Sequence, residues 1–486
     1  MHNKSNFCQA AGRLAPTLLA GAVLALASGC ATIPDLGARA ALKPVAGYAS
    51  STVLAATTPA AAWPSDDWWS GYGDPQLTAL IGEALAGAPS LAAAQARLAQ
   101  AEGVAQQRGA ALRPDVSANA SFDYSKQSYN NGMPPEFVPK GYQMTPRVPL
   151  DFSYELDFWG RNHAALAAAT SQLDAARADA AQARITLATS VASGYAELRR
   201  LFSQRDTNQA SLKVRMESSL LFQERAANGL ETQSAVQGLV ARRAMAEADL
   251  LATDEAIALQ RNKLASLLGA GPDRGLAITR PAIDLAQPFG LPEQLPANLL
   301  GRRPDVIAAR LRAEAAAAQI KVAHAQFYPN VNLGATLGFQ SLRMSMLTRN
   351  GSDMGSIGPA ISLPIFNGGR LQGQYRTATA SYDEAVANYN GAVNQALQDV
   401  ADVATSERAL AGRLAKVSEA AQAAREAYRI VDNRYKGGLA TYLDVLSAQD
   451  TLLANLQELT TLQSRMFMLD VAMVRALGGG YRGAGL

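Results

Sequence analysis

Four short segments of the chain alternate apolar and polar residues with a period of two. Val116, Ala118, Ala120, Phe122 and Tyr124 are interleaved with Ser117, Asn119, Ser121 and Asp123, and Leu150, Phe152, Tyr154, Leu156 and Phe158 with Asp151, Ser153, Glu155 and Asp157. A third run passes through Val331, Leu333, Ala335, Leu337 and Phe339, and a fourth through Ile357, Pro359, Ile361, Leu363 and Ile365. Such alternation predicts strands with one apolar and one polar face. Each run, at about 9–11 residues, has the length of a tilted strand crossing a bilayer. A soluble sheet with one face on a core would carry the same pattern. Two features favour a membrane: Tyr124, Tyr154, Phe158, Trp159, Phe339 and Phe366 cluster near strand ends, where an aromatic girdle belongs, and the joining segments 125–145 and 341–355 are polar and loop-like. Pro359 and Pro364 each remove a ladder donor, which leaves the register of the fourth strand loosely defined. Four strands cannot close, and an open edge in hydrocarbon strands backbone groups at several kcal/mol each, so the pattern predicts an oligomeric barrel.

Between the strand pairs the period changes. From His163 to Ala227, and again from Leu371 to Lys436, Ala, Leu, Gln, Glu and Arg dominate and no proline interrupts, which predicts two long helices. At 1.5 Å per residue each would reach roughly 90–100 Å, as a helical tube or coiled coil projecting from the barrel would require. Each stops at a glycine turn, Asn228-Gly229 or Gly437-Gly438, and a second helix returns to Leu268 or Leu477. Leu443, Leu446, Leu452, Leu453, Leu456, Leu459 and Leu462 form a stripe on the second returning helix, read as core.

The two sets of elements repeat one another. Arg225, Gly229, Leu230, Thr232, Leu268 and Gly269 recur at a constant offset as Arg434, Gly438, Leu439, Thr441, Leu477 and Gly478. Pro114-Asp115-Val116 answers to Pro329-Asn330-Val331, and Phe158-Trp159-Gly160-Arg161 to Phe366-Asn367-Gly368-Gly369-Arg370. The reading is one two-lobed architecture, with repeats over 68–270 and 295–480, in which neither half has to close its own core.

Lys4 and Arg13 precede an apolar run from Leu14 to Leu26 and then Ala27-Ser28-Gly29-Cys30. Residues 1–29 resemble a lipoprotein signal peptide, after which Cys30 would be lipidated; an ordinary secretory signal is the alternative. Ala31 in place of an aspartate favours the outer membrane. Residues 30–67, rich in Ala, Pro and Thr, read as a tether from the lipid anchor. The second cysteine, Cys8, lies in the signal, so no disulfide is expected. A net charge of +3 with 17% charged residues gives no footprint for nucleic acid, and a mean hydropathy of −0.04 excludes a polytopic helical membrane protein.

These motifs carry a resemblance. Trp68-Trp69 with Asp74-Pro75-Gln76-Leu77, the run Tyr154 to Arg161, Arg302-Arg303-Pro304-Asp305-Val306 and Phe327-Tyr328-Pro329 together resemble the TolC-like outer-membrane efflux proteins, in their lipoprotein branch, over about residues 66–480. The resemblance implies an α+β membrane protein of two-fold internal repeat. Four transmembrane strands per chain would join a trimeric twelve-stranded barrel, continued by a long periplasmic α-helical barrel. It implies a homotrimer in outer-membrane lipid that meets a periplasmic adaptor and, through it, an inner-membrane transporter. By matching positions, the adaptor-contacting tips would be Arg225, Gly229, Leu230 and Thr232 with Gly438, Leu439 and Thr441. The periplasmic gate would be Asp444 with Arg434, and Ser447 stands where relatives carry a further aspartate. Asp444 has a second reading, because Thr441-Tyr442-Leu443-Asp444 is also a capping-box pattern. Arg434 could likewise be a helix C-terminal charge favoured by the dipole.

No catalytic, metal or cofactor residue is expected: His2, His163 and His324 are scattered and no phosphate loop or nucleophile motif accompanies them. The pair Arg302-Arg303 before Pro304-Asp305 is accounted for by helix initiation. The expected function is therefore a passive trimeric exit duct of a tripartite pump. A lipid-anchored coiled-coil scaffold or adhesin is the alternative, though it has no need of membrane-length strands.

Overall fold

A computed structural model describes residues 33–44, 47–48, 62–282, 299 and 301–482. The signal segment, Cys30 and part of the tether lie outside the described residues. The described residues divide into two compact units, one drawn from 33–42, 99–175 and 310–388, the other from 43–44, 47–48, 62–98, 176–282, 299, 301–309 and 389–482. Both units take chain from 68–270 and from 295–480.

The first unit holds an antiparallel sheet of β1 (Asp115–Ala118), β2 (Ser121–Ser125), β3 (Gln143–Leu156), β4 (Asn330–Gln340) and β5 (Asp353–Ser362). Its order is β1-β3-β4-β5, with β2 also on β3. The first expected strand is thus observed in two pieces on one register, Ala118 opposite Leu150 and Ser121 opposite Arg147. Pro149 explains the gap: Asn119 donates to its carbonyl at 3.1 Å, but the imino nitrogen has no hydrogen to return. β3 starts at Gln143, earlier than the alternation from Leu150 indicated. Pro146 is tolerated because it lies beyond the last β3–β4 pair, Arg147 with Gln340, where its missing donor interrupts no ladder. β5 runs 353–362 and not 357–365, so Leu363 and Ile365 fall outside it; Pro364, lacking a donor, cannot extend the ladder past Ser362. Pro359 is accommodated on this edge strand.

Register puts the apolar positions in common rows. Val116, Phe152, Ala335 and Ile357 align across four strands, as do Ala118, Leu150 and Leu337, while Ser117, Asp151, Thr336 and Ser356 align on the other face. On the polar face Thr336 donates to Asp151 at 2.7 Å and Asn119 does so at 3.1 Å. On the apolar face Val116, Phe122, Tyr124, Leu150, Leu337, Phe339, Ile357 and Ile361 are exposed. The sheet therefore offers one wet face and one bare hydrocarbon face.

The helices are α1 (Pro75–Gly87), α2 (Pro89–Ala110), α3 (Arg161–Ala227), α4 (Gln233–Leu267), α5 (Asp273–Leu276), α6 (Pro304–Ala325), α7 (Arg370–Lys436) and α8 (Tyr442–Ala476). α3 and α7 are each 67 residues long, and α4 and α8 each 35. Among the described residues no single helix is long and apolar enough to cross a membrane. In the second unit the core packs small residues against large ones. Ala188, Val191, Ala192 and Tyr195 of α3 meet Leu77, Leu80 and Ile81 of α1, Leu264 of α4, and Phe467 and Val471 of α8.

Several sequence markers prove to be fasteners of this core. Asp74 caps α1, accepting from Gln76 and Leu77 nitrogens at 2.8 and 3.2 Å, and its other oxygen takes the Tyr195 hydroxyl at 2.9 Å. Arg303, buried just before Pro304, pairs with Asp305 at 2.6 Å and Asp399 at 2.8 Å. Helix initiation accounts for Pro304-Asp305, while Arg303 has this further role of holding α6 to α7. Close approach explains the repeated Leu-Gly: a Cβ on Gly269 would sit 2.4 Å from the Gly87 carbonyl, and one on Gly478 2.1 Å from that of Arg302.

Candidate functional site

The residues singled out as tips and gate fall at the two turns that join α3 to α4 and α7 to α8, both in the second unit. The α3 turn closes with Leu230 N donating to Arg225 O at 2.9 Å and Gly229 N to Ala226 O at 3.0 Å. The α7 turn repeats this, Leu439 N to Arg434 O at 2.8 Å and Gly438 N to Tyr435 O at 3.0 Å. Both are Schellman closures, which need a left-handed residue at the penultimate position. Gly229 and Gly438 supply it with φ of 75° and 73°. The carbonyls of the paired arginines receive the closing bond, a role that any residue's backbone could fill and that does not account for the recurrence of arginine.

The next helix starts from threonine in each case. Thr232 accepts from Ala235 N at 3.2 Å, and Thr441 from Asp444 N at 3.3 Å. At the second turn Asp444 reciprocates, its Oδ2 accepting from the Thr441 nitrogen at 2.8 Å and hydroxyl at 2.7 Å, which completes a capping box. The Thr441 hydroxyl and amide, followed by the charge of Arg434, hold the Asp444 carboxyl below the usual carboxylate range. Arg434 itself donates from Nη2 to Leu439 O at 3.2 Å. Ser447 is exposed one helical turn further on.

The turns are polar in backbone and greasy at the surface. Leu230, Leu439 and Leu443 remain 67%, 71% and 67% exposed. A Schellman leucine ordinarily folds back on its own helix, whereas Leu230 and Leu439 stay exposed, and Leu443 in the first turn of α8 does too. Below them the two hairpins are joined by Phe222, Val236, Leu239 and Leu446, with Phe222 and Tyr442 rings 4.6 Å apart.

One ionic cluster escaped the sequence reading. Asp450 of α8 accepts from Arg215 of α3 at 2.7 Å and from Arg242 of α4 at 3.3 Å, tying the second hairpin to both arms of the first. Nothing in the local sequence marks Asp450, because its partners are 235 and 208 residues away. No cluster of three metal-ligating side chains occurs among the described residues. His163 pairs with Asp157 at 2.7 Å and His324 lies against Tyr328 and Tyr375.

Comparison with known proteins establishes the family and the fold. The fusaric acid resistance protein FusA of Burkholderia cepacia is 35% identical over 372 residues, 74% of this chain and 69% of that protein. The multidrug resistance outer membrane protein MdtP of Escherichia coli strain K12 is 30% identical over 465 residues, 94% of each. Among solved structures, the outer membrane protein VceC of Vibrio cholerae superposes with a TM-score of 0.81 and 48% identity over 86% of this chain and 100% of that one. The profile of the outer membrane efflux protein family matches residues 80–270 and again 295–479, and the chain belongs to that family.

Proposed function

We propose that this outer-membrane efflux channel works as a passive homotrimeric exit duct, energised by an inner-membrane transporter through a periplasmic adaptor. The observation that carries this reading is the sheet itself: its apolar face is bare, and β5 at one edge and β1 with β2 at the other have no partner within the chain among the described residues. Hydrocarbon does not tolerate such edges, and three copies of a four-position sheet supply the twelve strands that remove them. The repeats 68–270 and 295–480 would then be two tellings of one strand-pair and helix-pair unit. Equal helix lengths and the two family matches support that division.

The exposed leucines at the turns suit adaptor docking, with Arg225, Gly229, Leu230, Thr232, Gly438, Leu439 and Thr441 as the contacting set. Asp444 would gate, three copies forming an acidic ring around an axis that attracts cations and repels anions. Arg434 flanks that ring, and Ser447 limits its charge. Lipidation would fall at Cys30, nine residues before Arg39, which is fastened to α7. Arg39 donates to the Tyr375 hydroxyl at 3.2 Å and Ala40 N to Asp383 at 3.1 Å, near the start of α7. Nine residues of chain can span at most about 30 Å, which bounds the distance of Cys30 from Arg39. Relatives named for fusaric acid and multidrug resistance suggest small organic cargo.

Planar-bilayer recording on the detergent-purified protein tests the duct. Discrete conductance is expected, small in the wild type and larger in Asp444→Ala/Arg434→Ala. Silence in both, or a monomer that stays dissolved without detergent, would remove the reading.

A further inference from the structure

Two carboxyls occupy core positions in the second unit. On α7, Glu407 stands at helical spacing between Val403 and Leu410, both buried, so the helix turns it toward the core. On α8, Asp470 is 6% exposed, beside buried Phe467, Val471 and Val474. Its Oδ2 accepts from the Tyr72 hydroxyl, and the Tyr72 ring lies 4.7 Å from that of Phe467. Glu407 Oε1 is buried without a hydrogen-bond donor, a cost that is greater for a charged oxygen than for a neutral one.

The neighbouring charges are directed elsewhere or to the surface. On α3, which meets α8 where Ser464 donates to the Ala196 carbonyl at 3.3 Å, Glu197 and Arg200 hold each other at 2.7 Å. Arg303, before α6, is taken up by Asp305 and Asp399. Arg408, next on α7, and Arg465 of α8 are exposed. Burial first, and the charge of Asp470 second, push the Glu407 carboxyl up from 4.5 to about 7. Burial and Asp470 likewise raise Tyr72, which therefore stays a donor.

The other hairpin shows that the fold does not require this arrangement. α3 and α7 have one length, as do α4 and α8, and at the constant offset of the repeat Glu407 answers to Leu198 and Asp470 to Arg261. Leu198 is fully buried, and Arg261 donates to the Ile278 carbonyl at 2.9 Å. A leucine fills in one copy the place where the other sets a carboxyl against a carboxyl.

We propose that Glu407 and Asp470 form a proton-operated fastener between α7 and α8: with Glu407 protonated the helices are held together, and with both carboxyls ionised they are pushed apart. These helices are the arms of the turn that carries Arg434 and Asp444, so pH sets how firmly that turn is supported. A carboxyl whose folded pKa is raised contributes stability that is fully present below its unfolded value, here 4.5, and is lost as pH rises through the folded one, about 7.

The test uses the full mature protein in detergent. Hydrogen exchange, corrected for base catalysis, is followed at the amides of Glu407 and Asp470 relative to that of Leu198. Wild type should exchange about tenfold faster at about pH 8 than at about pH 5, since partial exposure of Glu407 screens much of the full shift. Infrared spectra should show a protonated carboxyl that disappears with a midpoint of about 7. Glu407→Gln should lack that band, and its exchange should stay slow throughout. Asp470→Asn, which removes the repelling charge, should move the midpoint down, and it serves if the glutamine variant does not fold. A flat wild-type profile, the same response in Glu407→Gln, or a midpoint unmoved in Asp470→Asn each overturns the proposal. The fastener belongs to the chain's own helices, so its failure leaves the duct reading standing, and loss of conductance leaves the fastener standing.

Discussion

At the first turn Thr232 caps its helix with a hydroxyl alone, whereas at the second Thr441 and Asp444 close a reciprocal box. Counting from the shared threonine, the first turn has Ala235 and Ala241 where the second has Asp444 and Asp450. The backbone closures are the same to within a tenth of an ångström, but the acids differ in place: the first turn has Glu231, which faces Arg225 at 3.5 Å, and the second has Asp444 inside the capping box. Reversing a long helix pair thus demands glycine, threonine and a Schellman closure, and both turns meet that demand. A carboxylate within the cap is particular to the second, since the acid of the first turn, Glu231, pairs with Arg225 outside the cap. That difference separates what folds the hairpin from what is available for gating.

The largest effects should strike both turns equally. A Cβ on Gly229 or Gly438 would meet nothing within 4 Å, so substitution there costs backbone strain and no clash. Gly229→Val and Gly438→Val should each destabilise the local turn by about 2 kcal/mol, at the upper end of the left-handed penalty. Hydrogen exchange at the starts of α4 and α8 would read this. A marked difference between the two would show that the closures are not equivalent.

Removing the caps should begin to separate them. Thr232→Ala forfeits a single side-chain bond, and about 1 kcal/mol is expected. Thr441→Ala also releases Asp444 from its hydroxyl partner, which points to about 1–2 kcal/mol. The amides of Val236 and Val445, each bonded to the capping carbonyl, report the two losses by hydrogen exchange. Equal losses would mean that the Asp444 arm of the box contributes nothing. Asp450→Asn acts on the second hairpin alone, loosening its hold on Arg215 and Arg242. Both pairs are well exposed on the aspartate side, so less than about 1 kcal/mol is expected, with a higher open probability in bilayer recordings as the more sensitive readout.

The long helices were legible from composition, and their observed starts lie within two residues of those expected. The alternation likewise located four strand positions. What escaped it were the places where proline contradicts the local pattern. Residues 143–147 begin in the segment read as loop and contain Pro146, yet they pair with β2, because a proline is tolerated where its nitrogen faces no ladder, and only the third dimension says where that is. The turn residues were readable for the same reason that they repeat: glycine and threonine are required by local geometry. Asp450 was not, since an ion pair across more than 200 residues leaves no local trace. Arg303 shows the intermediate case, visible as a motif and intelligible only once Asp399 stands beside it.

The smallest effect is the one that bears most directly on Asp444. Its carboxyl is held below the ordinary value of 3.8 by the Thr441 hydroxyl, the Thr441 amide and then Arg434. A group whose folded pKa is depressed adds stability that is fully present above its unfolded value and is lost as pH falls through the folded one. Exchange protection at the start of α8 should therefore be constant from neutral pH down to about 4. It should fall below that through the carboxylate of the box, which the start of α4 lacks because Ala235 stands in the corresponding position. Asp444→Asn should abolish the pH response and leave the Thr441 hydroxyl cap in place. Thr441→Val should weaken the response through loss of the hydroxyl donor while keeping the charge. If conductance follows the carboxylate and not the cap, Thr441→Val will leave cation preference intact and Asp444→Asn will reduce it. If instead both variants alter conductance alike, the aspartate serves the channel only by fastening the helix end.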